Sequence, residues 1–185
     1  MDVTRMLEAD HRMVEGLFSQ IESAKGQERA ALVDELATAL RSHMELEESV
    51  VYPKIEPVVG EEDIQEGKTE HELAKKALQD LVSLAPDEPG VGAALDALKA
   101  GIEHHVHDEE DEVFPKVRRE GREVIESMAD AFLAKRRELG MTVNTAALVE
   151  GATKEQLEEE AKGLDIEGTS SMDKQELAEA LAAAG

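Results

Sequence analysis

The sequence contains no cysteine and no tryptophan, and aromatic residues make up only 2% of its 185 residues. Without cysteine, neither a disulfide framework nor a thiolate metal site can form. No run of about eighteen consecutive apolar residues occurs, and the opening residues MDVTRMLEAD lack the basic and apolar segments of a signal peptide. We therefore expect a cytoplasmic protein that does not associate with a membrane.

Basic residues are also scarce, with 20 Lys and Arg against 43 Asp and Glu and a formal net charge of −23. Such a charge repels phosphate backbones, so direct nucleic-acid binding is not expected. Few aromatic residues and many Ala, Leu, Glu and Lys residues favour helices over strands. The length suits one domain with a real core and a small appendage.

Apolar residues recur at helical spacing in four long segments and predict an all-α, up-down-up-down four-helix bundle. The four helices are expected near residues 3–24, 27–53, 62–84 and 91–114. Pro53 and Pro57 should disturb or end the second helix, and the fourth should end at Phe114.

The rest of the chain predicts an extra short helix and a small C-terminal helix-loop-helix module. The short helix is expected near residues 123–139, where it would pack across the end of the bundle. The interpretation gives a bundle domain at 1–138, a linker at 139–152 and a helical module at 153–185.

A repeated motif carries the chemistry of the sequence. HMELEESVVYPKI at 43–55 returns as HVHDEEDEVFPKV at 105–117, so an HxxxE pair occurs twice. Two more histidines occur in the similar contexts ADH and TEH, 60 residues apart. All of these polar side chains lie on the apolar stripes of the predicted helices, and the candidate metal ligands are His11, His43, Glu47, His71, His105 and Glu109.

The depth of these residues along the bundle indicates that they converge. Helices joined by short turns run antiparallel, and each residue advances a helix by about 1.5 Å. His11 and His43 lie at similar distances from Gly26, and His71 and His105 lie at equal distances from residue 88. The four histidines should therefore meet in one layer, with a glutamate one turn away on two of the helices.

A buried carboxylate without a partner costs several kcal/mol, so these residues need an explanation. Imidazoles and carboxylates without sulfur suit a pair of iron or manganese ions. Each metal would receive two histidines and one oxygen from each of two bridging glutamates. That leaves positions for an oxo or hydroxo bridge and for a small exogenous ligand.

Other histidines and the single tyrosine leave alternatives open. A lone histidine on an apolar stripe more often packs in a core than binds a metal, and His104 and His107 fall off the stripe as surface residues. Tyr52 could reach the metal or a bound oxygen species, or it could only pack in the core. Its counterpart in the repeat, Phe114, has no hydroxyl.

The motifs HMELE, TEHEL and HVHDE, together with His11, make residues 4–135 resemble the hemerythrin-like HHE cation-binding family. The resemblance implies a four-helix bundle with a non-haem di-iron centre, in a family whose members bind oxygen, sense oxygen or iron, or act on peroxide or nitric oxide. Lys75 stands where the oxygen carriers have a second histidine of the third helix, so reversible oxygen carriage is not expected. The oxygen carriers use a carboxylate five residues after the last histidine, which would make Glu110 the ligand, whereas the internal repeat favours Glu109.

Residues 153–185 resemble the helix-loop-helix module at the N-terminus of transcription terminator Rho, which is similar to SAP-type motifs. Acidic residues outnumber lysines from Lys154 to Gly185, so direct nucleic-acid binding is not expected, and we expect this module to dock to a protein partner or to add stability.

Two functional hypotheses follow. The first is a di-iron protein that binds or processes O2, peroxide or nitric oxide, with an oxidoreductase role in oxidative or nitrosative stress. The alternative is an iron or oxygen sensor that signals through its C-terminal module. Whether the protein is an enzyme stays open at this stage, as does its natural small ligand.

Overall fold

A computed structural model of the protein describes residues 2–141, 145, 148–149, 152–164 and 166–184. The prediction of an all-α fold is confirmed, and no strand occurs among these residues. The helices are α1 (Val3–Ser23), α2 (Gly26–Leu46), α3 (Tyr52–Val59), α4 (Glu61–Ser83), α5 (Val91–Asp108), α6 (Phe114–Glu120), α7 (Arg122–Glu138), α8 (Lys154–Gly163) and α9 (Lys174–Ala184).

The bundle is formed by α1, α2, α4 and α5. Each of these helices packs against two of the others, in the cyclic order α1, α2, α4, α5. Consecutive bundle helices are neighbours because short turns join them, with α3 continuing the path of α2 up to the turn at Gly60, as expected for up-down-up-down topology. One half of the bundle length is filled by an apolar cluster that includes Phe18, Leu36, Leu78 and Leu98.

The predicted end of the fourth helix at Phe114 is wrong, because the helical path continues to Glu120. The second helix is disturbed near Pro53, as predicted, but it does not end there. A π-helical turn at Glu47–Val51 leads from α2 into α3, and a second one at Glu109–Val113 leads from α5 into α6. Each turn restarts a helix with proline in its first turn, where the missing N–H removes no hydrogen bond. The chain therefore keeps its helical path while shifting its register by one residue.

The extra short helix is confirmed as α7, which packs against α1, α2, α3 and α6. Met128 and Phe132 of α7 are completely buried in a second apolar cluster. That cluster also takes in Val3 and Leu7 of α1 and Phe114 of α6. As a result, α7 covers one side of the bundle next to the level of the histidines.

Helices α8 and α9 pack on each other in a third apolar cluster, which also includes Ala9 of α1. The Thr153 side chain accepts from the Gln156 backbone, and the Gln156 side chain accepts from the Thr153 backbone, which caps the start of α8. Part of the predicted linker at 139–152 lies outside the described residues, and Thr145, Leu148 and Val149 within it are helical. The division of the chain into two domains stays a prediction. Within the described residues, no helix is long and apolar enough to cross a membrane.

Candidate metal centre

The four predicted histidines lie together at one level of the bundle, as two pairs. The Nε2 atoms of His11 and His43 are 3.1 Å apart, and those of His71 and His105 are 3.2 Å apart. All four side chains are at most 5% exposed. The structure therefore brings one histidine from each bundle helix into a shared interior layer.

Glu47 lies between the two histidine pairs. Its Oε1 is 3.2 Å from His43 Nε2, and its Oε2 is 3.2 Å from His71 Nε2. One carboxylate oxygen thus faces each pair. Glu47 occupies this position because the π-turn begins at this residue, one helical turn after His43.

Glu109 is the counterpart of Glu47 in the internal repeat and lies at the same layer. Its Oε2 is 3.5 Å from His11 Nε2 and 3.6 Å from His105 Nε2, while its Oε1 accepts a hydrogen bond of 3.1 Å from Tyr52. Glu110 instead lies against the outer nitrogen of His11, at 2.7 Å from Nδ1. The structure thus places Glu109 inside the layer and Glu110 around its edge.

The donor set fits metal ions. Both oxygens of Glu47 and Oε2 of Glu109 are buried, and they have no hydrogen-bond partner among the described residues. Such atoms are costly unless a cation satisfies them. Two overlapping groups have ligand atoms within 4.8 Å of one another and share Glu47; they are His11, His43, Glu47 and Glu109, and Glu47, His71 and His105.

A set of carboxylates that sequence reasoning did not assign holds the outer nitrogens of the histidines. Glu48 and Glu70 each lie 2.9 Å from a histidine Nδ1, those of His71 and His105 respectively. Each carboxylate directly precedes or follows a candidate ligand in sequence but contacts the histidine of another helix. Hydrogen bonds of this kind fix the ring orientation and direct Nε2 towards a metal.

Asp10 provides the fourth carboxylate and links the site to α7. Its Oδ2 lies 3.7 Å from His43 Nδ1, which is ion-pair rather than hydrogen-bond distance. Arg136 of α7 is completely buried and donates to Asp10 Oδ1 at 3.0 Å. In the sequence, Arg136 stands out only as a charged residue inside the apolar pattern of α7. That signal is too weak to assign a role to Arg136.

Two further cations lie outside the layer. Arg12 donates to Glu110, and Lys75 donates to Glu48 at 2.9 Å. Lys75 therefore contacts the edge of the centre through a carboxylate. It stands at the position where the oxygen carriers have a histidine, according to the resemblance. His104 and His107 are exposed, as the sequence predicts, with side chains 65% and 67% accessible.

In the metal-free centre, neighbouring charges raise the pKa values of histidines and lower that of a glutamate. Burial opposes protonation of His43, but the charges of Glu47 and Asp10 outweigh it and hold the pKa well above its usual value. Burial likewise opposes protonation of His105, yet Glu109 and neighbouring carboxylates raise its pKa to about 9. Burial would raise the pKa of Glu47, but His43 and His71 hold it well below its ordinary value. At neutral pH, His43 and His105 are therefore protonated and Glu47 is ionised.

The aromatic neighbours make the two halves of the layer unequal. The Tyr52 ring stacks on His71 at 5.5 Å between centroids, and its hydroxyl lies 3.4 Å from His71 Nε2. Phe114 stacks on His11 at 6.1 Å in the other half, without a hydroxyl. A polar O–H group is thus available at one histidine pair alone among the described residues.

Together, the fold and the site define a helical bundle with a buried histidine and glutamate cluster that could hold metal ions. The model of the Hemerythrin HHE cation binding domain family matches residues 2–117. The chain belongs to this family.

Similar proteins agree with this assignment. The chain is 31% identical over 120 residues to an uncharacterized hemerythrin-like protein of Schizosaccharomyces pombe, covering 61% of this chain and 59% of that one. It is 26% identical over 119 residues to a protein of Nostoc sp. called a DNA nickase, covering 64% of this chain and 34% of the relative. The chain thus spans less than two thirds of either relative.

A solved structure is also similar. The crystal structure of a hemerythrin HHE cation binding domain-containing protein from Mycobacterium kansasii matches with a TM-score of 0.63 at 26% identity. The match covers 75% of this chain and 89% of that protein.

Proposed function

We propose that the protein holds two iron ions at the histidine and glutamate layer and uses them to bind or process O2, peroxide or nitric oxide. His11 and His43 would hold one ion, and His71 and His105 the other. Glu47 and Glu109 would bridge the two ions. Manganese is compatible with the same donors.

One observation carries this proposal. Glu47 is fully buried, and its two oxygens face different histidine pairs, each at 3.2 Å from one Nε2 but in a geometry that makes no hydrogen bond. A carboxylate that served only packing would keep at least one buried hydrogen bond. Two cations, one at each pair, satisfy both oxygens and all four Nε2 atoms at once.

The surroundings of the layer support a ligand of few atoms. A space of about 10 Å³ next to the histidines is otherwise lined mainly by apolar side chains, including Val14, Leu40, Ala74 and Ile102. This is roughly the volume that one water molecule needs, so a larger molecule would not fit without movement. Bound iron would supply electron transfer to and from such a ligand.

Tyr52 is the residue of the chain best placed to exchange a proton with that ligand. Its hydroxyl reaches both His71 and Glu109, and burial, together with the charges of Glu109 and Glu47, raises its pKa well above the ordinary value. It therefore stays a neutral donor at physiological pH. In peroxide disproportionation one peroxide is reduced to water while a second is oxidised to O2, and protons must be moved between them.

Metal analysis tests the proposal. Protein purified from iron-supplied cells is expected to contain two irons per chain and to show a charge-transfer absorption band. His43→Ala and His105→Ala should each abolish the band, because each removes a ligand from a different ion. His107→Ala is the matched control and should leave it unchanged, since His107 is exposed and pairs with Asp111. Less than one metal per chain after iron loading would refute the proposal.

A sensing role is the second candidate, and one contact favours it. Ala9, two residues before His11, packs in the same cluster as Leu157 and Leu177 of the C-terminal helices. A shift of α1 on ligand binding would therefore reach the module, whose resemblance to the Rho N-terminal module we retain as a proposal. We propose that its partner is a protein, in the cytoplasm. The net charge of −23 gives no support to carrying nicking of DNA over from the Nostoc relative.

The two candidates differ in a measurable way. Rapid turnover of peroxide or nitric oxide by the iron-loaded protein would identify an oxidoreductase. Slow chemistry, with hydrogen exchange in α8 and α9 that changes when the ligand binds, would identify a sensor.

A further inference from the structure

A solvent-facing cleft of about 50 Å³ opens beside the His71 and His105 half of the layer. Its buried walls include Tyr52, His105 and Glu109. Its more accessible walls are acidic and comprise Asp63, Glu66, Glu70, Asp108 and Glu112. The cleft therefore joins the solvent to the candidate metal centre through a surface of negative charge.

The internal repeat shows that this charge belongs to one half of the bundle only. At the corresponding positions near the other histidine pair, 60 or 62 residues earlier, the residues are mostly apolar; Val3, Met6, Leu46 and Val50 stand where Asp63, Glu66, Asp108 and Glu112 stand in the cleft. Those apolar residues pack in the cluster that α7 completes. Leu7 likewise stands where Gly67 lies against the Tyr52 hydroxyl in the cleft. One half is thus closed by α7, and the other is open and acidic.

Two residues of the cleft wall, Glu70 and Asp108, form a group with His104, which lies outside the cleft lining. Each of the three offers a ligand atom, and these atoms all lie within 4.8 Å of one another. His104 Nε2 lies 3.5 Å from Glu70 Oε1, its Nδ1 lies 3.7 Å from Asp108 Oδ1, and its side chain is 65% exposed. At the repeat positions of His104 and Asp108 stand Ser42 and Leu46, so the other half has no such group.

This outer group is connected to the buried centre. Glu70 directs Oε1 towards His104, while its Oε2 lies 2.9 Å from His105 Nδ1. Glu109 also lines the cleft, is 3% exposed, and has an Oε2 without a hydrogen-bond partner among the described residues. A cation that passed along the cleft would thus reach Glu109, whose Oε2 faces His11 and His105 of the buried centre.

We propose that Glu70, His104 and Asp108 form an outer loading site, where a hydrated ferrous ion is captured before it passes along the cleft to the buried centre. Two carboxylates and one imidazole suit a divalent iron or manganese ion. The exposed position makes binding weak, as loading requires. The surrounding acidic residues raise the local concentration of cations and their association rate. This inference rests on the proposed function, because it presupposes a metal centre to be loaded.

Tyr52 gives a direct readout of loading. It is the one tyrosine of a sequence without tryptophan, and its hydroxyl lies 3.1 Å from Glu109. Arrival of Fe²⁺ at the centre is expected to quench its fluorescence. The experiment mixes metal-free full-length protein with Fe²⁺ under anaerobic conditions in a stopped-flow instrument, and counts the iron that resists a chelator at the end.

The test variant is His104→Ala with Asp108→Asn, and the matched control is His107→Ala with Asp111→Asn. His107 and Asp111 form an exposed pair with the same spacing, 3.0 Å apart, and the two double variants remove the same charges. At low salt we expect the test variant to load roughly tenfold more slowly than the wild type. The control should load at the wild-type rate, and all three proteins should finish with two irons.

A second measurement does not depend on kinetics. Iron-loaded wild-type protein should bind one further Mn²⁺ weakly, as seen by electron paramagnetic resonance, and the test variant should not. Equal loading rates in the test and control variants, with the same weak Mn²⁺ binding, would overturn the loading site but leave the centre intact. Failure of the wild type to retain iron would instead remove the proposed function, and the loading site with it.

Discussion

At the scale of single residues, the two nitrogens of each histidine in the centre make different contacts. Nε2 points into the shared layer, while Nδ1 faces a carboxylate from a neighbouring helix. The six candidate ligands were accessible to sequence reasoning because they interrupt apolar stripes. The outer carboxylates were not, because Glu48 and Glu70 are next to a ligand in sequence yet contact a different helix. Only the packing of the helices decides such contacts.

The raised pKa of His105 predicts how the metal-free protein responds to pH. A histidine whose pKa is about 9 in the folded chain stabilises the fold fully below its unfolded value near 6.5 and loses this effect as pH rises to about 9. His43 acts in the same direction. The free energy of unfolding should therefore fall between pH 6.5 and pH 9, by on the order of 3 kcal/mol from His105 alone.

Urea unfolding of the metal-free protein at several pH values measures this loss. His105→Gln should reduce the pH dependence and leave the part that His43 contributes, whereas His107→Gln should leave it as in the wild type. Iron loading should also flatten it, because metal binding displaces the protons. A metal-free stability that does not change over this pH range would contradict the account of the centre.

At the scale of the elements, two π-turns decide where the glutamates lie. The prolines at 53 and 115 are visible in the sequence. The expectation that the fourth helix ends at Phe114, just before its proline, was wrong. What the sequence did not reveal is that each proline follows a π-turn, so its missing N–H falls in the first turn of a new helix. Helical periodicity cannot detect one inserted residue in a helix that continues on both sides.

Gly67 of α4 makes an element-level prediction. A methyl group added there would lie 2.8 Å from the Tyr52 hydroxyl, and Tyr52 is 2% exposed and cannot easily move away. Gly67→Ala should therefore destabilise the protein by about 1–3 kcal/mol and alter the Tyr52 fluorescence. Gly101→Ala in α5 is the control: it meets nothing within 4 Å and should stabilise by about 0.5–1 kcal/mol. Equal stability of the two variants would show that Tyr52 is not held against α4.

At the scale of the whole molecule, the two halves of the repeat are similar in sequence but differ in the residues that surround them. α7 seals one half of the layer and contributes the buried Arg136, while the other half keeps Tyr52 and the acidic cleft. The C-terminal helices add a contact on α1, where burial and the charge of Asp2 raise the pKa of Glu160 to about 7. The sequence predicted the bundle and the layer because both follow from periodicity. It did not predict this asymmetry, which depends on which half α7 covers.

The central claim is that one carboxylate-bridged layer holds two metals close together. X-ray absorption on the iron-loaded protein tests it most directly, because scattering between metals reports their separation. The account predicts an iron–iron distance of about 3.5–4 Å. Iron that shows no neighbouring metal in that range would contradict it.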